Sequence, residues 1–173
     1  MTSPGREGGR QKIADSRSTV WTDELTGARN RRYFSEQLAF LQADGVAAVD
    51  IDGLKKVNEK FGLRAGDAAL RACVRAISAS FGCGALVCRY GADIFAVVCH
   101  DISQAGFRKC CEDTAEAVRN AEIPGYPEAR ITVSIGGAHA VGPLADTVQK
   151  ADQALYHAKA AKNRTVLYKE DLQ

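Results

Sequence analysis

The chain reads as an α+β protein: a central, mostly antiparallel mixed sheet flanked by helices, with a ferredoxin-like core. Three observations predict it. Segments with helical periodicity alternate with short apolar runs in the order helix, strand, helix, hairpin, helix, strand, helix, strand. Two of the runs, 85–88 and 95–99, are joined by so short a link that only an antiparallel hairpin can connect them. Each of the other runs lies next to a helical stretch whose apolar face needs a sheet to cover it.

Phe34, Leu38 and Leu41 recur at helical spacing and predict a helix over 30–43, which Gly45 ends. Val46-Ala47-Ala48-Val49 is a short apolar run that closes on Asp50-Ile51-Asp52, the pattern of a buried strand with carboxylates at its carboxyl end. Leu70, Cys73, Val74 and Ile77 mark an amphipathic helix over 65–79. The hairpin strands Ala85-Leu86-Val87-Cys88 and Phe95-Ala96-Val97-Val98-Cys99 flank Gly91-Ala92-Asp93. Phe107, Cys111, Ala115 and Val118 give a further helix, and Ile131-Thr132-Val133-Ser134-Ile135 a β-branched strand. Leu144, Val148, Ala151, Leu155 and Ala158 share one face of a last helix, and Thr165-Val166-Leu167-Tyr168 closes the chain as an edge strand.

Length and composition suit one globular domain over 21–173, preceded by a polar, glycine-rich tail or linker over 1–20. A net charge of +2 gives no electrostatic case for nucleic acid. No apolar run is long enough to span a bilayer, and the N-terminus has no apolar signal-peptide core, so no membrane contact and a cytoplasmic location are expected. The six cysteines lack CxxC spacing and sit mostly in apolar runs, as free buried thiols would. His100, His139 and His157 are scattered and propose no metal centre.

The acids carry more. Asp50 follows a run that should be buried, where an isolated carboxylate is costly to desolvate. Asp93 sits at the hairpin tip. If the first strand lies beside the hairpin, the two converge on one divalent cation, and hard oxygen ligands suit Mg²⁺ shared with phosphates. Taken singly, Asp50 is a strand-end acid capping the next helix and Asp93 a turn former.

Six stretches together resemble one family. Asp23-Glu24-Leu25-Thr26-Gly27-Ala28-Arg29-Asn30-Arg31-Arg32-Tyr33-Phe34 is similar to the DxLTGLxNRRxF opening of GGDEF domains, the diguanylate cyclase-like domains of bacterial signalling. Asp50-Ile51-Asp52-Gly53-Leu54-Lys55-Lys56-Val57-Asn58 resembles DIDxFKxIN, and Ala65-Gly66-Asp67-Ala68-Ala69-Leu70 resembles AGDxxL. Arg89-Tyr90-Gly91-Ala92-Asp93-Ile94-Phe95 stands where RYGG(D/E)EF is expected. Thr132-Val133-Ser134-Ile135-Gly136 matches TVSIG, and Ala151 to Lys159 matches ADxALYxAK. Six motifs in the family's order form a specific signal.

The resemblance implies a nucleotidyl-cyclase-like fold and the condensation of two GTP into cyclic di-guanylate by a facing pair of domains, a homodimer, usually joined to sensor or output domains. It implies Mg²⁺ held by Asp50, the Ile51 carbonyl and Asp93, with catalytic roles for Asp93 and Lys55. Asn58 and Asp67 would read guanine, and Lys55, Lys159 and the N–H groups around Gly53 and Leu54 would meet phosphate. Gly91 would let the hairpin backbone pass close to the nucleotide. Outside the family context, Asn58 and Asp67 are helix caps or loop formers and Lys159 a solvated cation near a helix C-terminus.

Ile94 departs from the pattern, because the family has glutamate there. Isoleucine neither ligates Mg²⁺ nor accepts a proton, and the loss in transition-state stabilisation is on the order of several kcal/mol. The resemblance therefore implies an impaired domain that keeps a GTP and Mg²⁺ pocket or a dimerising role. An active cyclase with Asp52 as a substitute ligand and a nucleotide-free protein scaffold are the alternatives. Ala92 replaces the second glycine, Leu63 a usual histidine, and 160–164 reads as one residue shorter than xxGRN, with Lys162 loosely matching a phosphate-facing basic residue. The RxxD product-inhibition motif is absent, its place taken by Gly82-Cys83-Gly84-Ala85.

Overall fold

The computed structural model describes residues 20–169 and 171–172; the expected tail over 1–20 lies, save Val20, outside them. Its elements in chain order are β1 (Arg29–Asn30), α1 (Arg31–Gln37), β2 (Gly45–Asp52), α2 (Leu54–Phe61), α3 (Leu63–Phe81), β3 (Leu86–Arg89), β4 (Ile94–Cys99), α4 (Gln104–Asn120), β5 (Thr132–His139), α5 (Leu144–Ala161) and β6 (Thr165–Leu167). They build one sheet in the order β1-β3-β4-β2-β5-β6. The inner pairings β3–β4, β4–β2 and β2–β5 are antiparallel, while β1 and β6 add at the two edges in parallel. The α+β class and the mostly antiparallel mixed sheet hold, and β2 to β5 form the ferredoxin-like core.

Alternation along β2 divides the interior. Ala47, Val49 and Ile51 face α3 and α4, where Cys73, Ile77, Phe107 and Val118 complete one apolar cluster. Val46 and Ala48 face the other way, onto Phe34 of α1 and Ala151 and Leu155 of α5. Asp50 continues this second set, so its side chain emerges on the α5 face. That helix lies unusually close to the sheet: a Cβ on Gly136 of β5 would stand 2.0 Å from the Leu155 nitrogen and 2.4 Å from the Ala151 oxygen. The glycine lets backbone meet backbone, and α5 thereby carries Lys159 to the end of β2.

Three boundaries differ from the sequence reading. Helix α1 stops at Gln37 instead of 43, because the Gln37 carbonyl takes both Phe40 N–H (2.8 Å) and Leu41 N–H (3.1 Å) in a closing turn. Leu38 and Leu41 still pack on the α1–α5 cluster, which explains their helical spacing. The segment before 65 holds a separate helix, α2, with Leu54 and Val57 buried, and Gly62 at φ +89° breaks it from α3. The two-residue β1 is too short to leave a period. Cys73, Cys88, Cys99 and Cys111 are buried free thiols, and burial pushes the first three up to about 12. No helix of the described residues is long and apolar enough to cross a membrane.

Candidate nucleotide and metal site

The acidic end of the sheet forms where β2 runs out between β4 and β5. Asp50 pairs with Ile94 on one side and Ser134 on the other. Cross-strand partners share a face, so the Ile94 side chain stands beside Asp50 on the α5 side. The hairpin connection folds back over it: Tyr90 and Gly91 both donate to the Ile94 carbonyl (2.8 and 3.1 Å), and Ile51 N–H donates to the Asp93 carbonyl at 2.9 Å. Arg89 pins this loop by donating to the Ala92 carbonyl (2.8 Å) and to both Asp23 carboxylate oxygens (3.2 Å). Ala92 adopts no left-handed backbone angle, so the extra methyl strains nothing in the loop itself. A Cβ on Gly91 would meet Ile94 at an ordinary 3.6 Å. Nothing in the fold itself asks for glycine at 91.

Asp50 is only 3% exposed, and its Oδ2 accepts from the Lys159 ammonium at 2.7 Å. Burial raises the Asp50 carboxyl above its ordinary range despite that bond, and the charge of Asp93 adds to the rise. Lys159 is raised in turn by the Asp50 hydrogen bond, with Asp93 and Asp52 contributing. The three acids and one lysine therefore sit within electrostatic reach of one another, and the structure brings together Asp50, Asp93 and Lys159 as the sequence required. Asp50 does not cap α2: the cap position is Gly53, in the left-handed conformation at φ +76°, with no side-chain hydrogen bond.

Asp52 behaves otherwise. Its Oδ1 accepts from Ser134 Oγ (2.8 Å), and its Oδ2 accepts from Thr132 Oγ1 and Asn163 N–H (2.9 Å each). Both oxygens are engaged in tying β2 to β5 and to the turn after α5, so Asp52 has a structural role at the end of β2. That turn is a second correction. Lys162 is the cap residue of α5 at φ +57°, and Asn163 follows at φ +44°. Lys162 thus fills a left-handed helix-end position that favours glycine, and no residue is missing from the stretch.

The remaining predicted residues lie on α2 and α3. Lys55 is not drawn to the acids; its side chain is exposed and pairs loosely with Glu59 at 3.8 Å. Gly53 and Leu54 form the uncapped start of α2, whose first N–H groups have no partner within the helix. Asn58 lies inside α2 and Asp67 inside α3, four residues past its first residue, so neither is a helix cap. The Asn58 amide oxygen is buried without a donor.

The carboxylates of Asp50 and Asp93 are hard oxygen donors, the kind with which Mg²⁺ completes its shell from phosphates and water. Among the described residues no three His, Cys, Asp or Glu side chains gather as a metal cluster. The cation already seated on Asp50 is the ammonium of Lys159, and it shows that this carboxylate draws positive charge. A cleft of about 910 Å³ opens at the far end of the sheet by Asp44, His100 and Pro143 and holds none of these residues.

The structure thus combines a ferredoxin-like core with two aspartates at one sheet end and an uncapped helix start at Gly53. Its family follows from comparison: residues 20–165 match the family model described as diguanylate cyclase, GGDEF domain. The chain is 33% identical over 175 residues to the response regulator PleD of Caulobacter vibrioides, covering 92% of this chain and 38% of that protein. It is 31% identical over 155 residues to the diguanylate cyclase DgcM of Escherichia coli K12, covering 84% and 37%. The GGDEF domain of DgcB from Caulobacter crescentus, solved in complex with c-di-GMP, superposes with a TM-score of 0.77 at 26% identity, over 87% of this chain and 97% of that one. The chain belongs to the GGDEF diguanylate cyclase family, and it spans less than two fifths of the length of these curated relatives.

Proposed function

We propose that this domain binds GTP with Mg²⁺ at the Asp50–Asp93 end of the sheet and serves cyclic di-guanylate signalling as a regulatory, dimerising module with negligible turnover. Asp50, the Ile51 carbonyl and Asp93 would hold Mg²⁺, which when bound supplies charge neutralisation for the phosphates. The start of α2 at Gly53 and Leu54 offers N–H groups to a phosphate, with Lys55 and Lys159 as nearby cations. Gly91 leaves room for the nucleotide beside the hairpin. Asn58 and Asp67 meet the base.

One observation carries the loss of turnover. Position 94 lies directly across from Asp50 on the same face, where an acid would share the cation and take the proton of an attacking hydroxyl, and isoleucine does neither. Asp52 is already bonded to Ser134, Thr132 and Asn163, and serving as a replacement ligand would compete with those bonds.

The test is calorimetric titration with GTP and Mg²⁺, beside a chromatographic assay for cyclic di-guanylate on the wild type and Ile94→Glu. Binding without product by the wild type, and product from Ile94→Glu, is the expected result. Product from the wild type that vanishes in Asp93→Ala would replace this reading with an active cyclase. No binding at high protein concentration would leave a nucleotide-free scaffold.

A further inference from the structure

The carbonyl oxygen of the Asn58 amide occupies the space that a side chain at position 66 would fill. A Cβ built on Gly66 would stand 1.8 Å from Asn58 Oδ1, 2.9 Å from its Cγ and 3.3 Å from its Nδ2. No real side chain tolerates such an approach, so Asn58 can hold this pose only over a glycine. Gly66 itself is buried in the second turn of α3, at a backbone angle any residue adopts. Conformational freedom does not explain a glycine here, and helix propensity disfavours it.

The orientation of the amide matters as much as its place. Oδ1 is buried and receives no hydrogen bond among the described residues. Turning the amide over would bury the NH₂ group there instead, leaving two donors without acceptors in place of one acceptor without a donor. Oxygen inward is the cheaper arrangement, and it leaves the NH₂ group the farther of the two amide ends from Gly66. Asp67 is the next residue along α3. An amide donor from Asn58 and a carboxylate acceptor from Asp67 would together complement the O6 and N1–H/N2–H edge of guanine. Adenine presents a donor where guanine has O6, and would set donor against donor.

We infer that Gly66 is the specificity-determining residue of the base pocket: by lacking a side chain it fixes which end of the Asn58 amide meets the ligand, and so selects guanine over adenine. The inference rests on the guanine-nucleotide reading above, and the experiment separates the two. GTP and ATP affinities are measured by calorimetry with Mg²⁺ for the wild type, Gly66→Ala, Asn58→Ser and the double variant, alongside their melting temperatures.

Gly66→Ala is expected to lower GTP affinity by about 10-fold or more, the usual consequence of one lost, well-placed hydrogen bond, and to pull the GTP-to-ATP ratio towards one. In the Asn58→Ser background the clash is gone, so the same substitution should leave GTP affinity unchanged and raise the melting temperature, as alanine does in a helix interior. An unaltered GTP-to-ATP ratio in Gly66→Ala, or an equal loss of affinity in both backgrounds, overturns the inference and leaves the proposed function standing. A wild type that binds no guanine nucleotide overturns both.

Discussion

The Lys159 ammonium rests 2.7 Å from Oδ2 of Asp50, so the buried carboxylate at the end of β2 is already paired with a cation from α5. The pair is unequal. Lys159 is half exposed and returns to water at little cost, whereas Asp50 is enclosed and stays desolvated. Burial outweighs the hydrogen bond and raises the Asp50 carboxyl, with Asp93 and Asp52 repelling its charge. A folded-state pKa above the unfolded value means that the folded protein binds this proton more tightly. The ionised carboxylate therefore costs stability at neutral pH, and the cost is relieved as pH falls through the folded-state pKa. Asp50→Asn should stabilise the domain by about 1 kcal/mol near pH 7, the usual return on relaxing a functional site. Urea titrations across pH check the sign: the gain should shrink as pH drops through the carboxylate range, and a gain that is flat with pH would refute this account.

Ile94→Glu sets a fourth acid beside that cluster, directly across the strand from Asp50. Like charges in opposed positions destabilise a sheet by roughly 0.2–1 kcal/mol, and lost apolar contacts add to it. The variant should melt below the wild type in chelator. Mg²⁺ with GTP should then raise its melting temperature more than it raises the wild type's, because the added carboxylate gains its cation only in the complex. Equal thermal shifts in the two proteins would show that residue 94 does not feel the metal.

How much of this was readable before coordinates depended on scale. The strand ending in Asp50 and the hairpin holding Asp93 show in short apolar runs, whereas their meeting depends on the β2–β4 pairing, which no local pattern reveals. The role of Asp52 does not show, since Thr132 and Ser134 reach it from a strand 80 and 82 residues away. Nor does the packing of Asn58 on Gly66, because a glycine inside a helical period gives no sign of what fills its space. Helix α2 was legible in the spacing of Leu54, Val57 and Phe61, yet those residues read first as a motif. At the end of α5 the letters suggest a shortened stretch with Lys162 as a loosely matching basic residue, whereas the backbone makes Lys162 the helix cap at positive φ.

That angle makes its own prediction. A non-glycine residue in the left-handed region costs about 1–2 kcal/mol, and Lys162 bears this cost at φ +57°. Lys162→Gly should raise stability by about 1 kcal/mol, after allowing for the greater freedom of glycine in the unfolded chain. Thermal unfolding of the variant checks it; a loss of stability would mean that the lysine side chain holds the turn by contacts of its own.

Asp52 holds the next residue of that turn. Replacing it with alanine strands the hydroxyl of Ser134, which is fully buried, and the Asn163 N–H. An unpaired buried group costs about 1–3 kcal/mol, and the exposed Asn163 N–H can turn to water, so Asp52→Ala should destabilise the domain by about the cost of the one buried hydroxyl. Amide exchange should quicken at Asn163 before it quickens in the β2–β4 ladder. Uniform loosening of the sheet would place the role of Asp52 elsewhere.

Gly136 tests whether the nearness of α5 to the sheet positions the site. An alanine methyl there has no room, with the Leu155 nitrogen at 2.0 Å and the Ala151 oxygen at 2.4 Å. Both are backbone atoms, so no side chain can rotate to relieve the contact, and the whole helix must lift. Overpacking of this kind costs typically about 1–3 kcal/mol and often more against rigid backbone. Lys159 sits one turn beyond Leu155 on the same helix and moves with it. Gly136→Ala should therefore lower the melting temperature and also shift the Asp50 carboxyl resonance in a pH titration followed by NMR. A variant that melts early while the Asp50 titration stays unchanged would separate the packing of α5 from the charge balance at the end of β2.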